Sequence, residues 1–254
     1  MASLNFQPRV PVFDANIGVG HRHNRPAPFE DAAGLRKEMQ RLGVERALIY
    51  QVQGESISPL DGNVELQNWA DAEGPFSLQY VAGPGTRSLH QLQDLYAAGK
   101  LHSVRLNNAD SPRNPFVEWI YGDLLEWMNA EHIPLWVSLA DTDTREVITT
   151  LKPFPVLVSV LVGAHYTHAL FVRALLQNLP NAHLELSRYE VLGEVEALTE
   201  EFGHQRLVYG SFYPRYAMGP MLFYLHNIPF SDAELTAICA GNLERILGEG
   251  GKND

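Results

Sequence analysis

The sequence has little cysteine, few basic residues and no long apolar run. Cys239 is its single cysteine, so no disulfide can form within the chain, which fits a reducing cytoplasm. Lys and Arg total 19 against 30 Asp and Glu, a formal net charge of -11, and this argues against nucleic-acid binding, which needs clustered cations. The longest apolar stretch, around 155–164, falls short of the roughly 18 residues of a membrane span, and the N-terminus lacks a signal-peptide core. We therefore expect a soluble cytoplasmic protein with no nucleic-acid or membrane partner.

Glycine-rich phosphate loops and interdomain linkers are also missing. The segment 83–85 (GPG) predicts a turn and nothing more. No Pro, Gly or Ser-rich stretch is long enough to separate domains. We therefore expect residues 1–254 to form one domain with a core of about 10–248. The length leaves homo-oligomerisation open.

Short apolar segments alternate with longer segments of helical periodicity along the whole chain. One helical stripe contains Tyr121, Leu124, Leu125 and Met128. Eight strand–helix pairs in 254 residues average about 32 residues each, which is typical of a (β/α)8 TIM barrel. An open doubly wound sheet has the same alternation and is the alternative. The predicted strands are 10–15, 47–52, 77–82, 103–106, 135–139, 156–162, 183–186 and 207–209.

An extra helix is predicted at the C-terminal end, over about 231–247. Ser231 and Glu234 have the spacing of a capping box, in which each side chain bonds the other residue's backbone N–H. An apolar stripe follows, and Gly248 ends it. We expect this helix to pack on the outside of the barrel.

The pocket of a parallel barrel lies at the carboxyl ends of its strands. Polar residues at or just past these predicted ends are therefore candidate site residues. In strand order they include Asp14 and Asn16, Gln51, Arg105 with Asn107 and Asn108, Ser138 and Asp141, His165, Ser187 and Arg188, and Ser211 and Tyr213.

Three segments resemble one known family. The first strand reads FDANIG at 13–18, where the family has an Asp followed by H-x-H. The segment 210–214 reads GSFYP in place of G-S-D-x-P, and 242–247 reads NLERIL, similar to a terminal N-x-x-R-[IL]-[LF] helix. From about residue 10 to residue 248 the chain thus resembles the amidohydrolase-related family of metal-dependent hydrolases, which implies a TIM barrel.

The resemblance also implies a metal site, but the residues at its positions differ. Asn16 and Gly18 stand at the H-x-H positions, Ser138 at the strand-five His and Phe212 at the strand-eight Asp. Only His165 falls near a family ligand position. Because a zinc site needs three or four good donors, we predict a degenerate site with no metal and no other cofactor. Divalent zinc is the disfavoured alternative.

Two histidine groups have alternative interpretations. His21 and His23 form an H-x-H downstream of the family position, which would bind substrate or metal if it reached the pocket, although a solvated loop is favoured. His165 is a candidate catalytic acid or base, and a structural role at a helix start is equally favoured. Asp14 is slightly favoured as a partner of loop backbone.

Arg105 is the most informative charge. Its guanidinium would suit a carboxylate or phosphate, whereas pairing with a protein acid such as Asp141 is equally favoured. We predict a pocket for a small anionic ligand lined by Asn16, Gln51, Arg105, His165 and Tyr213, with His21, His23, Ser138 and Ser211 as further substrate contacts. Asn16, Arg105 and His165 are the candidate catalytic residues.

Two functions follow from these residues. The resemblance implies a hydrolase or lyase acting on a small carbonyl or carboxylate compound, and the residues suggest that it works without the usual metal. We favour this enzyme, of the amidohydrolase superfamily. The alternative is a non-catalytic barrel that binds a small ligand, or a pseudoenzyme.

Overall fold

Parallel strands form the centre of the molecule. The computed structural model describes residues 6–22, 25–69, 74–106 and 115–248. In these ranges, one hydrogen-bonded set of strands contains β1 (Phe13–Val19), β2 (Arg46–Gln51) and β3 (Phe76–Leu78). The second set contains β4 (Tyr80–Ala82), β5 (Val104–Leu106), β6 (Leu135–Ser138), β7 (Ser159–Val162), β8 (Ala182–Glu185) and β9 (Leu207–Val208). Each of the eight predicted segments overlaps a strand.

Backbone hydrogen bonds join the two sets into one ring. Only Gln79 separates β3 from β4, so the two occupy one strand position. Gln79 N–H donates to the Ile49 carbonyl of β2 at 2.8 Å, and β4 pairs with β5. At the other junction, Ala15 N–H of β1 donates to the carbonyl of Tyr209, the residue after β9, at 3.1 Å. The strands therefore surround a common interior at eight positions, as predicted for a TIM barrel.

Helices follow the strands and cover the outside of the ring. Their bounds are α1 (Ala32–Leu42), α2 (Val52–Ser56), α3 (Pro59–Trp69), α4 (Thr86–Ala97), α5 (Glu118–Ala130), α6 (Thr144–Leu151), α7 (Ala169–Asn178), α8 (Glu194–Phe202) and α9 (Gly219–Leu225). The predicted stripe of α5 is buried in the large core cluster beneath the helices. No helix in the described ranges is long and apolar enough to cross a membrane.

Side chains along each strand point alternately toward the helices outside and toward the barrel interior. On β5, Val104 and Leu106 pack with the helices, and Arg105 between them faces the other way. On β6, Leu135 and Val137 pack outward in the same manner. The polar interior positions near the strand ends are therefore placed together by the fold.

The C-terminal helix differs from its prediction in two ways. The capping box of Ser231 and Glu234 is confirmed, but a π-helical segment, Ala237–Gly241, lies between α10 (Asp232–Thr236) and α11 (Asn242–Ile246). The helix was expected on the outside of the barrel. Its last turns instead join an apolar cluster with residues of the barrel interior such as Trp136. Glu244 also bonds Arg46, the first residue of β2, at 3.0 Å, so the helix covers the starting ends of the first strands.

Candidate functional site

The first strand is longer than predicted and carries its site residues within it. β1 continues to Val19 and is buried along its whole length. Its pairing with β2 is irregular between Asp14 and Ile17, as at a β-bulge. Asn16 lies inside this irregular stretch and is completely buried. The bulge thus lets Asn16 contact groups from two other strands.

A buried ion network lies at the carboxyl ends of β2 and β5. Glu55, in the short helix α2, accepts from Arg105 Nε at 2.9 Å and from Arg22 Nη2 at 2.9 Å. Arg105 and Glu55 are only 1% and 2% exposed. Burial would raise the pKa of Glu55, but the two guanidiniums outweigh burial and hold it below its usual value. Glu55 is therefore a carboxylate at neutral pH.

This network contains more positive than negative charge. Two guanidiniums share one carboxylate, and Arg105 Nη2 and Arg22 Nε are buried without a hydrogen-bond partner among the described residues. Buried polar groups nearly always have partners. The open N–H groups therefore indicate a place where a ligand oxygen can accept a hydrogen bond.

Aromatic rings surround the guanidiniums. The Arg105 guanidinium lies over the Tyr50 ring at 3.9 Å and over the Phe212 ring at 5.5 Å. Arg215 lies over Phe212 at 5.2 Å, and Arg188 over Tyr216 at 4.5 Å. Guanidiniums over ring faces are attracted by the ring quadrupole. The site thus combines cations with flat apolar walls.

Phe212 has an unusual backbone conformation. Its φ is 55°, in the left-handed region that favours glycine. Such a conformation costs about 1–3 kcal/mol and is common at functional sites. The side chain is 1% exposed, and a Cβ on Gly163 would lie 3.2 Å from its ring. The strained loop therefore places the Phe212 ring where the resemblance implies the acidic residue of strand eight.

Asn16 connects the ion network to a second buried carboxyl group. Its Oδ1 accepts from Arg105 Nη1 at 3.2 Å, and its Nδ2 donates to Glu185 Oε2 at 3.2 Å. Glu185 ends β8 and also accepts from Ser187 N and Oγ at 2.8 and 2.9 Å. Burial raises the pKa of Glu185 to about 7, despite the hydrogen bonds from Ser187.

Asp14 is held by backbone N–H groups, as the favoured interpretation predicted. Its Oδ1 accepts from Asn16 N at 3.0 Å and from Ser211 N at 2.9 Å. Burial raises the pKa of Asp14 to about 6, and hydrogen bonds from Ser211 and Asn16 oppose the rise. Ser211 therefore fixes the strand-eight loop to β1.

The residues at the family's metal positions do not fit a metal. A Cβ on Gly18 would lie 2.6 Å from Val52 Cγ1 and 3.2 Å from the Tyr50 hydroxyl, so a His side chain has no room there. The Asn16 amide is bonded on both sides, and one partner is a guanidinium that would repel a cation. Ser138 Oγ donates to Asp141 at 2.6 Å. In the described ranges no three His, Cys, Asp or Glu side chains converge to hold a metal ion.

Two predicted site residues have contacts away from the Arg105 cluster. His21 Nδ1 accepts from Ala27 N–H at 3.0 Å and its Nε2 lies 3.3 Å from Glu30, within its own loop. The Tyr213 ring stacks on Phe29 at 5.7 Å. His23, Asn107 and Asn108 lie outside the described residues.

The remaining predicted residues lie at the strand ends. Gln51 caps α2 by accepting from Gln53 N–H at 3.2 Å. The backbone N–H of His165 donates to His168 Nδ1 at 3.0 Å, a helix-start contact like the one predicted as the alternative. The His165 ring lies 3.9 Å from that of Tyr166, and burial and the Arg188 charge lower its pKa. The ring is therefore neutral at pH 7 and able to accept a proton.

The partner of Arg105 was not found from the sequence. Arg105 pairs with a protein acid, as one alternative held, but that acid is Glu55 rather than Asp141. Glu55 lies one turn into α2 and Glu185 lies inside the predicted strand 183–186, so neither follows a predicted strand end. The available signal was a carboxylate inside the apolar segment 183–186.

A cavity of about 310 Å³ opens on the same side of the barrel, between the loop after β8 and helix α9. It is lined by Glu190, Val191, Leu192, Pro220, Met221 and Tyr224. Its walls are mainly apolar. Glu190 is two residues beyond Arg188 in the sequence. The loop that lines this cavity therefore also carries a residue of the candidate site.

Comparison with known proteins identifies the fold. No family model and no curated protein matches the sequence. An uncharacterised TIM-barrel protein from Bordetella bronchiseptica matches with a TM-score of 0.74 at 17% identity, over 96% of this chain and 100% of that one. The 5-carboxyvanillate decarboxylase from Sphingomonas paucimobilis matches with a TM-score of 0.72 at 13% identity, over 94% and 99%.

A third solved structure is similar over a comparable length. An amidohydrolase from Burkholderia multivorans with bound zinc matches with a TM-score of 0.68 at 16% identity, over 94% of this chain and 99% of that one. Each similarity covers nearly all of both chains. The expected TIM-barrel fold is confirmed.

Proposed function

Because the chain has a TIM-barrel fold similar to those of a solved decarboxylase and a solved amidohydrolase, we propose that it is a hydrolase or lyase that acts on a small carboxylate compound without a bound metal. The observation that carries the proposal is the surplus of buried positive charge around Arg105. Two guanidiniums share Glu55, and one N–H group of each has no partner in the described part of the chain. A substrate carboxylate would accept these hydrogen bonds.

The walls of the site favour a flat substrate. Tyr50, Phe212 and Tyr216 present ring faces beside the guanidiniums. An aromatic carboxylate would match both features. Preorganised cations in a buried site also stabilise negative charge that develops on an oxygen during reaction. His165, neutral at pH 7, is the proposed base.

Arg105 substitution tests the proposed binding mode. Benzoate and 2-hydroxybenzoate are titrated into the protein by calorimetry. In the Arg105→Lys variant the charge stays but the paired geometry is lost. Losing one charge-assisted hydrogen bond, about 1.5–3 kcal/mol, weakens binding about 10- to 150-fold. Arg105→Ala is expected to bind at least as weakly.

The matched control is Arg145→Ala, whose side chain is 87% exposed and which should bind as the wild type does. Unchanged affinity in both Arg105 variants would make Arg105 a purely structural ion-pair partner. Binding without turnover of any carboxylate, lactone or cyclic amide would favour the non-catalytic barrel.

Metal independence is a separate prediction. Elemental analysis should find far less than one transition metal per chain, because Asn16, Gly18, Ser138 and Phe212 do not form a donor set. Added zinc should leave the melting temperature unchanged, whereas a ligand at 100 times its Kd would stabilise the fold by about 2.7 kcal/mol. One metal per chain, removed by a chelator with loss of stability, would contradict the proposal.

A further inference from the structure

Two buried carboxyl groups at the site are not used by the arginine network. Asp14 on β1 and Glu185 on β8 are both 0% exposed. In the described ranges neither forms an ion pair with Lys, Arg or His. Burying an unpaired carboxylate is costly, and such a group usually binds a proton instead. Their burial therefore requires an explanation.

The two groups are linked through one residue. Asn16 donates its backbone N–H to Asp14 at 3.0 Å and its side-chain amide to Glu185 at 3.2 Å. Gly210, from the loop after β9, leaves room for Glu185, because a Cβ there would lie 2.3 Å from Glu185 Oε1. The carboxyl groups thus share Asn16 as a neighbour, and Asp14 Oδ2 is buried without a hydrogen-bond partner among the described residues.

The groups around the pair are mostly neutral. Gly163 after β7 and Ser187 after β8 donate hydrogen bonds to Glu185. Tyr209 after β9 keeps its proton, because burial, with smaller contributions from Asp14, the Cys239 thiol and Glu185, raises its pKa. Arg105 reaches Glu185 only through Asn16. The Asp14 charge acts directly on Glu185 and raises its pKa further.

We propose that Asp14 and Glu185 form a carboxyl pair that holds one proton between them near neutral pH and serves as the proton donor of the site. This inference rests on the proposed function for its second part. Phe212 occupies the strand-eight acid position and cannot donate a proton, so the reaction needs another acid. Two coupled carboxyl groups that share one proton act as the acid in other enzymes.

The proton balance of a decarboxylation illustrates the role. The bond between the ring carbon and the carboxylate carbon breaks, and CO2 leaves. The electron pair that remains on the ring carbon takes the proton of the pair, which is then replaced from water. In a hydrolysis the same proton would go to the leaving oxygen or nitrogen.

The shared proton is tested first without any ligand. Infrared difference spectra against pH should show a protonated carboxyl band in the wild type at pH 6 that disappears at pH 9, about one unit below and about two units above the transition near pH 7. Glu185→Gln should remove the component of the band that titrates near pH 7, and Asp14→Asn should move the midpoint of that component about one unit lower. The exposed Glu65→Gln is the control and should leave it unchanged. Absence of any band sensitive to either substitution would overturn the shared proton.

Ligand binding tests the second part. Calorimetry of 2-hydroxybenzoate at pH 7.5 in two buffers with different ionisation heats gives the protons taken up per ligand. The wild type should take up a measurable fraction because an anion at Arg105 favours the protonated pair, and Glu185→Gln should take up almost none. Equal uptake in both proteins would refute the donor role. No binding at all would refute the proposed function, while the infrared result still decides the pair.

Discussion

Replacing Glu55 with Gln is expected to lower the free energy of unfolding by about 3–5 kcal/mol. The substitution keeps the size of the side chain and removes its charge. Arg22 and Arg105 then lose the carboxylate that both bind at 2.9 Å. The buried guanidinium of Arg105 and the partly buried one of Arg22 would remain without a counterion, which is far more costly than losing a surface pair. Urea unfolding at pH 7 measures the difference.

The loss of stability caused by Glu55→Gln should become smaller as the pH falls. The pKa of Glu55 is below its usual value of 4.5 in the folded protein, so its contribution is present above that value and is lost as pH falls through the lower folded pKa. The gap between wild type and variant should therefore shrink in acid. Glu38→Gln, which removes a surface pair with Arg41, should cost under about 1 kcal/mol. Equal costs for the two variants would show that the network contributes no more than a surface pair.

The fold was accessible from the sequence because its signals are local. Continuous apolar segments such as 135–139 and helical stripes such as that of α5 report their own secondary structure. Capping at Ser231 is also local, and it was confirmed. The π-helical segment at Ala237–Gly241 was not predicted, since the apolar stripe continues through it.

The candidate site was less accessible because its contacts are long-range. Asn16, Arg105 and Ser211 were expected at the strand ends, and they do contact the buried groups there. Glu55 contacts Arg105 fifty positions away in the sequence, and no periodicity reports that pairing. The left-handed backbone of Phe212 is likewise a property of the folded loop. It turns the Phe212 ring, rather than that of Tyr213, toward Arg105.

Glu185→Gln is expected to change stability in the opposite pH direction from Glu55→Gln. Burial raises the pKa of Glu185 from 4.5 to about 7 in the folded protein. The folded state therefore holds this proton more tightly than the unfolded state. Its contribution is complete below the unfolded pKa and is lost as pH rises through the folded pKa. Over that window the wild type should lose roughly 3 kcal/mol relative to the variant.

The relative change, rather than the absolute stability, is the quantity to measure. Gln also alters the hydrogen bonds from Asn16 and Ser187, but that cost is nearly constant with pH and cancels in the difference. Urea unfolding of both proteins at pH 5 and pH 8 gives the difference in free energy of unfolding between wild type and variant at each pH. The exposed Glu65→Gln variant should show no change between them. A gap that stays constant, or that moves in favour of the wild type at pH 8, would show that Glu185 is already ionised in the folded protein at pH 5. The groups around Glu185 would then have to stabilise its charge more strongly than the hydrogen bonds from Ser187, Asn16 and Gly163 suggest.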